Sequence, residues 1–379
     1  MVAFVEKVDK MVKIHPMITI NEDKIRCFIL HKKGYFVLSS FTMIDFRSDT
    51  VTRPTQLMLE AMMQAKIGDD VFGEDPSINE LESLSASIFG MESALFCPSG
   101  TMTNQIAIKC HTQPGDEVIC DVLSHVYLYE GGGIAANSGS SVRLLQGNRG
   151  RITAEMVKNA INPDDIHKPQ TRLVSLENTA NRGGGSCYNF NDIQLIREVC
   201  STSGLGLHLD GARIFNALVA KSETAKQYGE VFDSISICLS KGLGAPVGSV
   251  LLGKSDFIKK ARRVRKLYGG GMRQAGFLAA AGVFALQHHI DRLAQDHQHA
   301  KLIESTLKKK DFVGNILDVE TNILIFEVKG KYTAPILTAI LKEKGILAIS
   351  ISPTQIRFVL HLDVTPSQVQ QTIDIIEML

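Results

Sequence analysis

From about residue 90 onward, short apolar runs alternate with amphipathic stretches. "ALFC" (94–97), "DEVICD" (116–121), "SVRLL" (141–145), "RLVSLE" (172–177), "LGLHLD" (205–210) and the β-branched "SISIC" (234–238) read as strands. Between them "TMTNQIAIKCH" (101–111), "HVYLYEGGGIAA" (125–136), "TAEMVKNAI" (153–161) and "NDIQLIREVCSTSG" (191–204) read as helices. Near-continuous apolar strands separated by helices of about ten residues predict parallel βαβ units, with helices covering both faces of one sheet. After about residue 280 the rhythm changes. A long polar helix, "GVFALQHHIDRLAQDHQHAKLIESTLKKK" (282–310), leads to strand candidates "NILIFEVKG", "ILAISIS" and "QIRFVLHL" and a last helix from Pro366. The expected organisation is a large α/β domain over 43–280 and a smaller C-terminal α+β domain over 281–379.

Residues 1–42 fit neither pattern. They carry seven Lys/Arg against four Asp/Glu and show no sustained period. They are expected to be an extension outside the core fold: an upstream read-through with Met43 as the natural start, or, less favoured, a targeting arm. Composition narrows the rest. Lys plus Arg (41) balance Asp plus Glu (40), so no global field selects nucleic acid or an anionic membrane as partner. No apolar run approaches the ~20 residues that span a bilayer. Seven scattered cysteines without a C-x-x-C pair suit reduced thiols in a cytoplasmic protein better than a disulfide framework or a zinc site. No metal site is expected.

The candidate chemistry starts at "SISICLSKGLGAPVGS" (234–249), where an apolar strand ends in Ser240, Lys241 and a glycine-rich turn. A lysine behind a buried strand either curls out to solvent or has its amine recruited for chemistry. Two further features share its placement at strand ends. In "FCPSGTMTNQ", Ser99, Gly100 and Thr101 offer free amides and hydroxyls at a helix start, which is a phosphate cradle or merely a cap. In "LHLDGARIFNA", Asp210 ends a strand 31 residues before Lys241, with Arg213 following, and is either an N-cap or the partner of a cationic ligand nitrogen. No Walker loop and no dinucleotide fingerprint is present. A lysine to bond an aldehyde, an aspartate to hold a ring nitrogen protonated and a helix start for a phosphate are together what pyridoxal phosphate requires.

The motifs "IDFRSDTVTRPT" (44–55), "GDDVFGEDP" (68–76), "PSGTMTNQ" (98–105), "SHVYLYEGGG" (124–133), "LENTANRGGG" (176–185), "HLDGARIFNA" (208–217), "SKGLGAPVGS" (240–249) and "YGGGMRQAG" (268–276) together resemble the low-specificity L-threonine aldolases. The resemblance covers residues 44–379. It implies the fold of aspartate aminotransferase (fold type I), with a mostly parallel seven-stranded α/β/α domain and a smaller C-terminal domain. By the same resemblance Lys241 is the cofactor-bonding lysine and Asp210 the partner of the ring nitrogen. Arg213 lies near the ring hydroxyl and substrate carboxylate, Gly100 and Thr101 form the phosphate cup, and His125 stacks on the ring. Ser48 and Arg357 contact the carboxylate, and Lys266 and Arg273 complete a site shared between two subunits of a homodimer or homotetramer. Each has a plainer alternative: His125 as a polar residue at a helix start, and the Arg262–Lys266 run as a solvated helix face. Tyr127 and Tyr129 read as packing.

The reaction implied is cleavage of a β-hydroxy-α-amino acid, L-threonine or L-allo-threonine, to glycine and an aldehyde. One position departs from the family pattern: "ENTAN" stands where E-N-T-H-N is common, so Ala180 replaces a histidine that is a candidate for relaying the hydroxyl proton. That load then falls on His125 or a water. The rivals are a β-eliminating lyase or an aldolase for bulkier substrates on the same fold, and a catalytically silent scaffold.

Overall fold

The computed structural model describes residues 24–30 and 36–379, which divide into two compact units, Met1–Ile44 and Asp45–Leu379. In the first, Lys24–Leu30 pairs antiparallel with Phe36–Thr42, in a register that sets Lys24 opposite Thr42. No regular element is expected there from the sequence. The remaining residues of 1–42, on which the expectation of an extension also rests, lie outside the described residues.

The second unit is built on a seven-stranded sheet: β1 (Ser93–Cys97), β2 (Asp116–Asp121), β3 (Ser141–Leu145), β4 (Gln170–Glu177), β5 (Gly206–Gly211), β6 (Ser234–Cys238) and β7 (Ser249–Gly253), in the order β1-β7-β6-β5-β4-β2-β3. Only β7 runs against its neighbours, pairing antiparallel with β1 and β6, while β2 to β6 are parallel. The mostly parallel α/β sheet is the one expected. β6 and β7 are buried along their whole length, which explains why "SISIC" and "SVLLG" carry small and branched apolar residues without alternation. β7 is absent from the expected strands, because its run begins inside what reads as a glycine-rich turn.

Two helices differ from expectation. "HVYLYEGGGIAA" is a single helical turn at His125–Leu128 followed by a π-helical turn at Ile134–Ser138, because Gly131 and Gly132 take positive φ between them. The long polar helix is two, Gly276–His288 and Leu293–Leu307. The break lets the buried His289 donate its ring Nδ1–H to the carbonyl of Leu243, 2.7 Å away in the turn after Lys241. Beyond it β8 (Val313–Ile316), β9 (Ile323–Val328), β10 (Ile349–Ser350) and β11 (Gln355–Val359) form an antiparallel sheet in the order β8-β9-β11-β10.

Because β1 and β2 to β6 point the same way, their carboxyl ends line one edge of the sheet. Ser99–Thr101 follow β1, His125 follows β2, Glu177 ends β4, Asp210 lies next to last in β5, and Lys241 comes three residues after β6. This is the edge where ligands bind in open α/β sheets. The turn that carries Lys241 is made by Gly244, at φ +77°, whose α-carbon faces Leu362 so closely that a Cβ would stand 2.9 Å from Leu362 Cδ2. Gly242 is not left-handed and is small because Leu293 covers it. Gly244→Ala is expected to cost about 1–2 kcal/mol for the left-handed backbone alone, read as a lower Cm in urea unfolding; an unchanged midpoint contradicts this account of the turn.

Candidate active site

The sheet edge collects an unusual density of buried charge. Glu130, Glu177 and Asp210 are buried, and Glu177 and Asp210 are register partners on adjacent parallel strands. Each carboxylate is supplied with donors. Asp210 accepts from the Ala212 N–H (3.1 Å) and from the Asn104 amide (3.0 Å). Glu130 accepts from Asn104 (2.9 Å) and Gln105 (2.7 Å), both on α1 (Gly100–His111). Glu177 accepts from two backbone N–H groups, those of His125 (2.8 Å) and Asn181 (2.8 Å). Burial, with Asp210 beside it, pushes Glu177 up to about 7 against the pull of those two bonds.

His125 stands at the centre. Its Nδ1 lies 3.0 Å from Glu130 Oε1, and its ring packs 5.6 Å from that of Tyr129. Burial alone lowers a histidine, but the bond to Glu130 and the fields of Asp210 and Glu130 outweigh it and hold His125 above its usual range. The Lys241 charge is felt at both His125 and Asp49. Its backbone is tied down by Thr52, whose hydroxyl donates to the Lys241 carbonyl at 3.1 Å.

Arg213 is held by a buried carboxylate that the resemblance does not name. Its Nε–H and one terminal N–H donate to the two oxygens of Asp49 at 2.7 and 2.6 Å, in a fully buried fork. Burial opposes both charges, yet the pairing holds Asp49 below and Arg213 above their ordinary ranges. This side-on pairing leaves the remaining terminal N–H groups of Arg213 for a ligand carboxylate. Arg357, on β11, is the better placed arginine. It donates to Asn181 Oδ1 (2.9 Å) and to the Arg47 carbonyl (3.1 Å), while its buried Nε has no partner. Burial first, and then the charges of Arg213 and Arg182, pull Arg357 down, the mark of a cationic pocket short of an anion. Ser48 caps the turn that carries Asp49, its oxygen accepting from the Thr50 N–H and hydroxyl.

At the start of α1, Ser99 caps the helix by accepting from the Met102 N–H, which leaves the first amides of Gly100 and Thr101 unused within the helix. Gly100 has to be glycine, since a Cβ would stand 2.5 Å from Cys238 Sγ. Gly270 crosses this helix start, where a Cβ would meet Met102. Lys266 and Arg273 flank that crossing. Arg273 pairs with Asp69 at 2.9 Å, and among the described residues no hydrogen bond or ion pair ties either residue to Lys241, Asp210 or His125. Arg262 is not merely solvated, because it donates to the buried Glu82 at 2.8 Å.

Ala180 is buried in a bridge with Ser186, and its methyl lies 2.7 Å from where a Cβ on Gly150 would stand. The small residue at 180 therefore faces a protein turn, which removes the argument that it leaves open room for a bulkier substrate. Asn104, Glu130, Glu177, Asp49 and Asn181 are absent from the sequence-derived site. Their role lies in donor and acceptor pairing across 26 to 164 residues, as in Asn104–Glu130 and Asp49–Arg213, which no local spacing announces.

The beta-eliminating lyase family model matches residues 45–330. The low specificity L-threonine aldolase of Escherichia coli (strain K12) is 43% identical over 330 residues, covering 87% of this chain and 97% of that protein. Low-specificity L-threonine aldolase 1 of Arabidopsis thaliana is 42% identical over 337 residues, covering 87% and 94%. Among solved structures, the threonine aldolase of Leishmania major superposes with a TM-score of 0.77 at 20% identity, covering 88% of this chain and 99% of that one.

Two substitutions test the reading of the site's frame. Asp49→Asn strands the buried Arg213 charge and is expected to cost about 3–5 kcal/mol, against a cost near zero if the fork were solvent-screened, by equilibrium denaturation. Ala180→His overpacks the contact with Gly150 and is expected to lower stability by about 1–3 kcal/mol without raising threonine cleavage; a more active and equally stable variant contradicts the packing assigned here.

Proposed function

The chain belongs to the low-specificity L-threonine aldolases within the beta-eliminating lyase family, and we propose that its sheet-edge site binds pyridoxal phosphate and cleaves L-threonine and L-allo-threonine to glycine and acetaldehyde. The observation that carries this reading is the clustering of Asp210 and His125 at the sheet edge from which Lys241 also follows, with a partnerless buried N–H at Arg357 and a capped helix start at Gly100. These residues fit the cofactor. Asp210 has lone pairs left beyond its two bonds for a ring N–H, the free amides of Gly100 and Thr101 suit a phosphate, and the orphaned Arg357 Nε suits a carboxylate.

Pyridoxal phosphate, when bound, supplies an aldehyde for amines and a ring that accepts the electron pair left at Cα when the Cα–Cβ bond breaks. The protein does the rest. Lys241 would hold the cofactor's aldehyde carbon and Asp210 would keep its ring nitrogen protonated. Arg357, held by Asn181, orients the substrate carboxylate, with Ser48 on the neighbouring turn and Arg213 through the N–H groups not given to Asp49. His125 takes the proton of the β-hydroxyl through the ring nitrogen that Glu130 does not hold. Since His125 titrates above its ordinary range, it must lose a proton before it can accept one, so cleavage rises with pH through that raised value.

Several features support an assembly. Leu267, Phe72 and Met63 are 74%, 73% and 79% exposed, large apolar side chains open to solvent, Leu267 beside Lys266 and Phe72 in the turn whose Asp69 pairs with Arg273. We assign these two residues to the neighbouring subunit's site in a homodimer or homotetramer. The free buried cysteines 97, 110, 120, 187, 200 and 238 suit a reducing, cytoplasmic setting, and among the described residues no helix is long and apolar enough to cross a membrane.

Product analysis with L-threonine, L-allo-threonine and phenylserine tests the reaction: glycine plus the matching aldehyde is expected, and ammonia with a 2-oxo acid (2-oxobutanoate from threonine, phenylpyruvate from phenylserine) in place of glycine sinks the aldolase reading in favour of β-elimination. His125→Asn is expected to lower kcat by roughly 10²- to 10⁴-fold. Glu130→Gln removes the carboxylate that holds the imidazolium, so the acid limb of kcat should move to lower pH; a limb that stays or moves up contradicts His125 as proton acceptor.

A further inference from the structure

Behind the pocket lies a run of buried polar side chains that the reaction does not itself use. The oxygens of Glu130 and Asp210 and a ring nitrogen of His125 all lie within 4.8 Å of one another, yet a single neutral residue stands between the carboxylates. The Asn104 amide nitrogen donates one hydrogen to Glu130 Oε1 and the other to Asp210 Oδ2. Its oxygen lies 3.2 Å from His208 Nε2, His208 Nδ1 lies 2.8 Å from Ser234 Oγ, and Ser234 Oγ lies 2.8 Å from His111 Nε2. Asn104, His208 and Ser234 are buried.

The proton order along this chain follows by elimination. Carboxylates only accept, so both Asn104 amide hydrogens point at Glu130 and Asp210 and its oxygen must accept. His208 then carries its proton on Nε2, which leaves Nδ1 to accept from the Ser234 hydroxyl. The Ser234 oxygen in turn accepts from His111 Nε2–H. Both rings suit this neutral role: burial pushes His208 down to about 3 and His111 down to about 4. The His111 ring is held against Phe257 at 4.7 Å, in space left by Gly206. A flipped Asn104 amide would set its oxygen against two carboxylates, and every proton along the links to His111 would have to reverse.

We infer that Asn104 is a positioning residue of the site: its amide keeps Asp210 and Glu130 from sharing a proton, and His208, backed by Ser234 and His111, locks the amide oxygen in place. The inference rests on the proposed cofactor site, since Asp210 is assigned there to the ring nitrogen and Glu130 to His125. Two buried carboxylates this close without a donor between them take up a proton as a pair. The charged groups near the pair are His125 after β2 and Glu177 at the end of β4, with Lys241 acting on His125 and Gln105 a neutral donor to Glu130. Around His111 stand Asp233 and Lys260.

The test begins with the unaltered holoenzyme, labelled with ¹⁵N-histidine. At pH 7 His208 and His111 are expected as neutral Nε2–H tautomers, and an Nδ1–H tautomer on His208 overturns the chain. In Asn104→Leu holoenzyme the pH dependence of the bound cofactor's visible absorption is expected to shift by about one pH unit or more; an unshifted profile overturns the role of Asn104. His208→Leu should shift the profile in the same sense, whereas His208→Gln, which keeps a donor to the Asn104 oxygen, should restore it. Equal profiles for these two variants overturn the lock. If Asn104→Leu does not fold, the tautomers and the His208 pair decide. An enzyme that shows both tautomers but forms no glycine from threonine overturns the aldolase reading alone, so the two failures are distinguishable.

Discussion

The burial of carboxylates at the carboxyl edge of one sheet is the constraint around which this protein is arranged. Glu177 and Asp210 sit side by side on adjacent strands, Glu130 approaches from the turn after β2, and Asp49 enters from the chain's early turn. An isolated buried carboxylate is far too costly to persist, so each one dictates what surrounds it. Asp49 requires Arg213. Glu177 requires the backbone N–H groups of His125 and Asn181, and thereby sets where the imidazole and the residue behind Arg357 can lie. Glu130 and Asp210 require Asn104. The reacting groups are the visible ends of this pairing scheme.

The scheme also explains why His125 and Arg357 differ in character. His125 is drawn toward its charged form by acids on two sides, which suits a group that exchanges protons. Arg357 is surrounded by arginines and has a buried N–H without a partner, which suits a group that waits for an anion. The two are linked through one carboxylate: Glu177 holds the backbone of His125 with one oxygen and that of Asn181 with the other, and Asn181 holds Arg357.

Much of this was legible before any coordinates. The apolar runs of 94–97, 116–121 and 234–238 are strands because an interior parallel sheet tolerates little else, and Lys241 was conspicuous because it ends such a run. Periodicity misled where glycines or long-range bonds intervene: Gly131 and Gly132 stop the helix after Leu128, and His289 interrupts the long polar helix to reach the Lys241 turn. The local motif of Arg213 says nothing of its partner Asp49, 164 residues earlier. Asn104 looked like one polar residue in a helix, and its partners are 26 and 106 residues away.

All of the chemistry assigned to the sheet edge depends on Lys241 being the residue that bonds the cofactor. Borohydride reduction of the holoenzyme followed by peptide mapping measures this directly. The account predicts a single cofactor adduct, on the peptide carrying Lys241; an adduct on another lysine, or none, contradicts it.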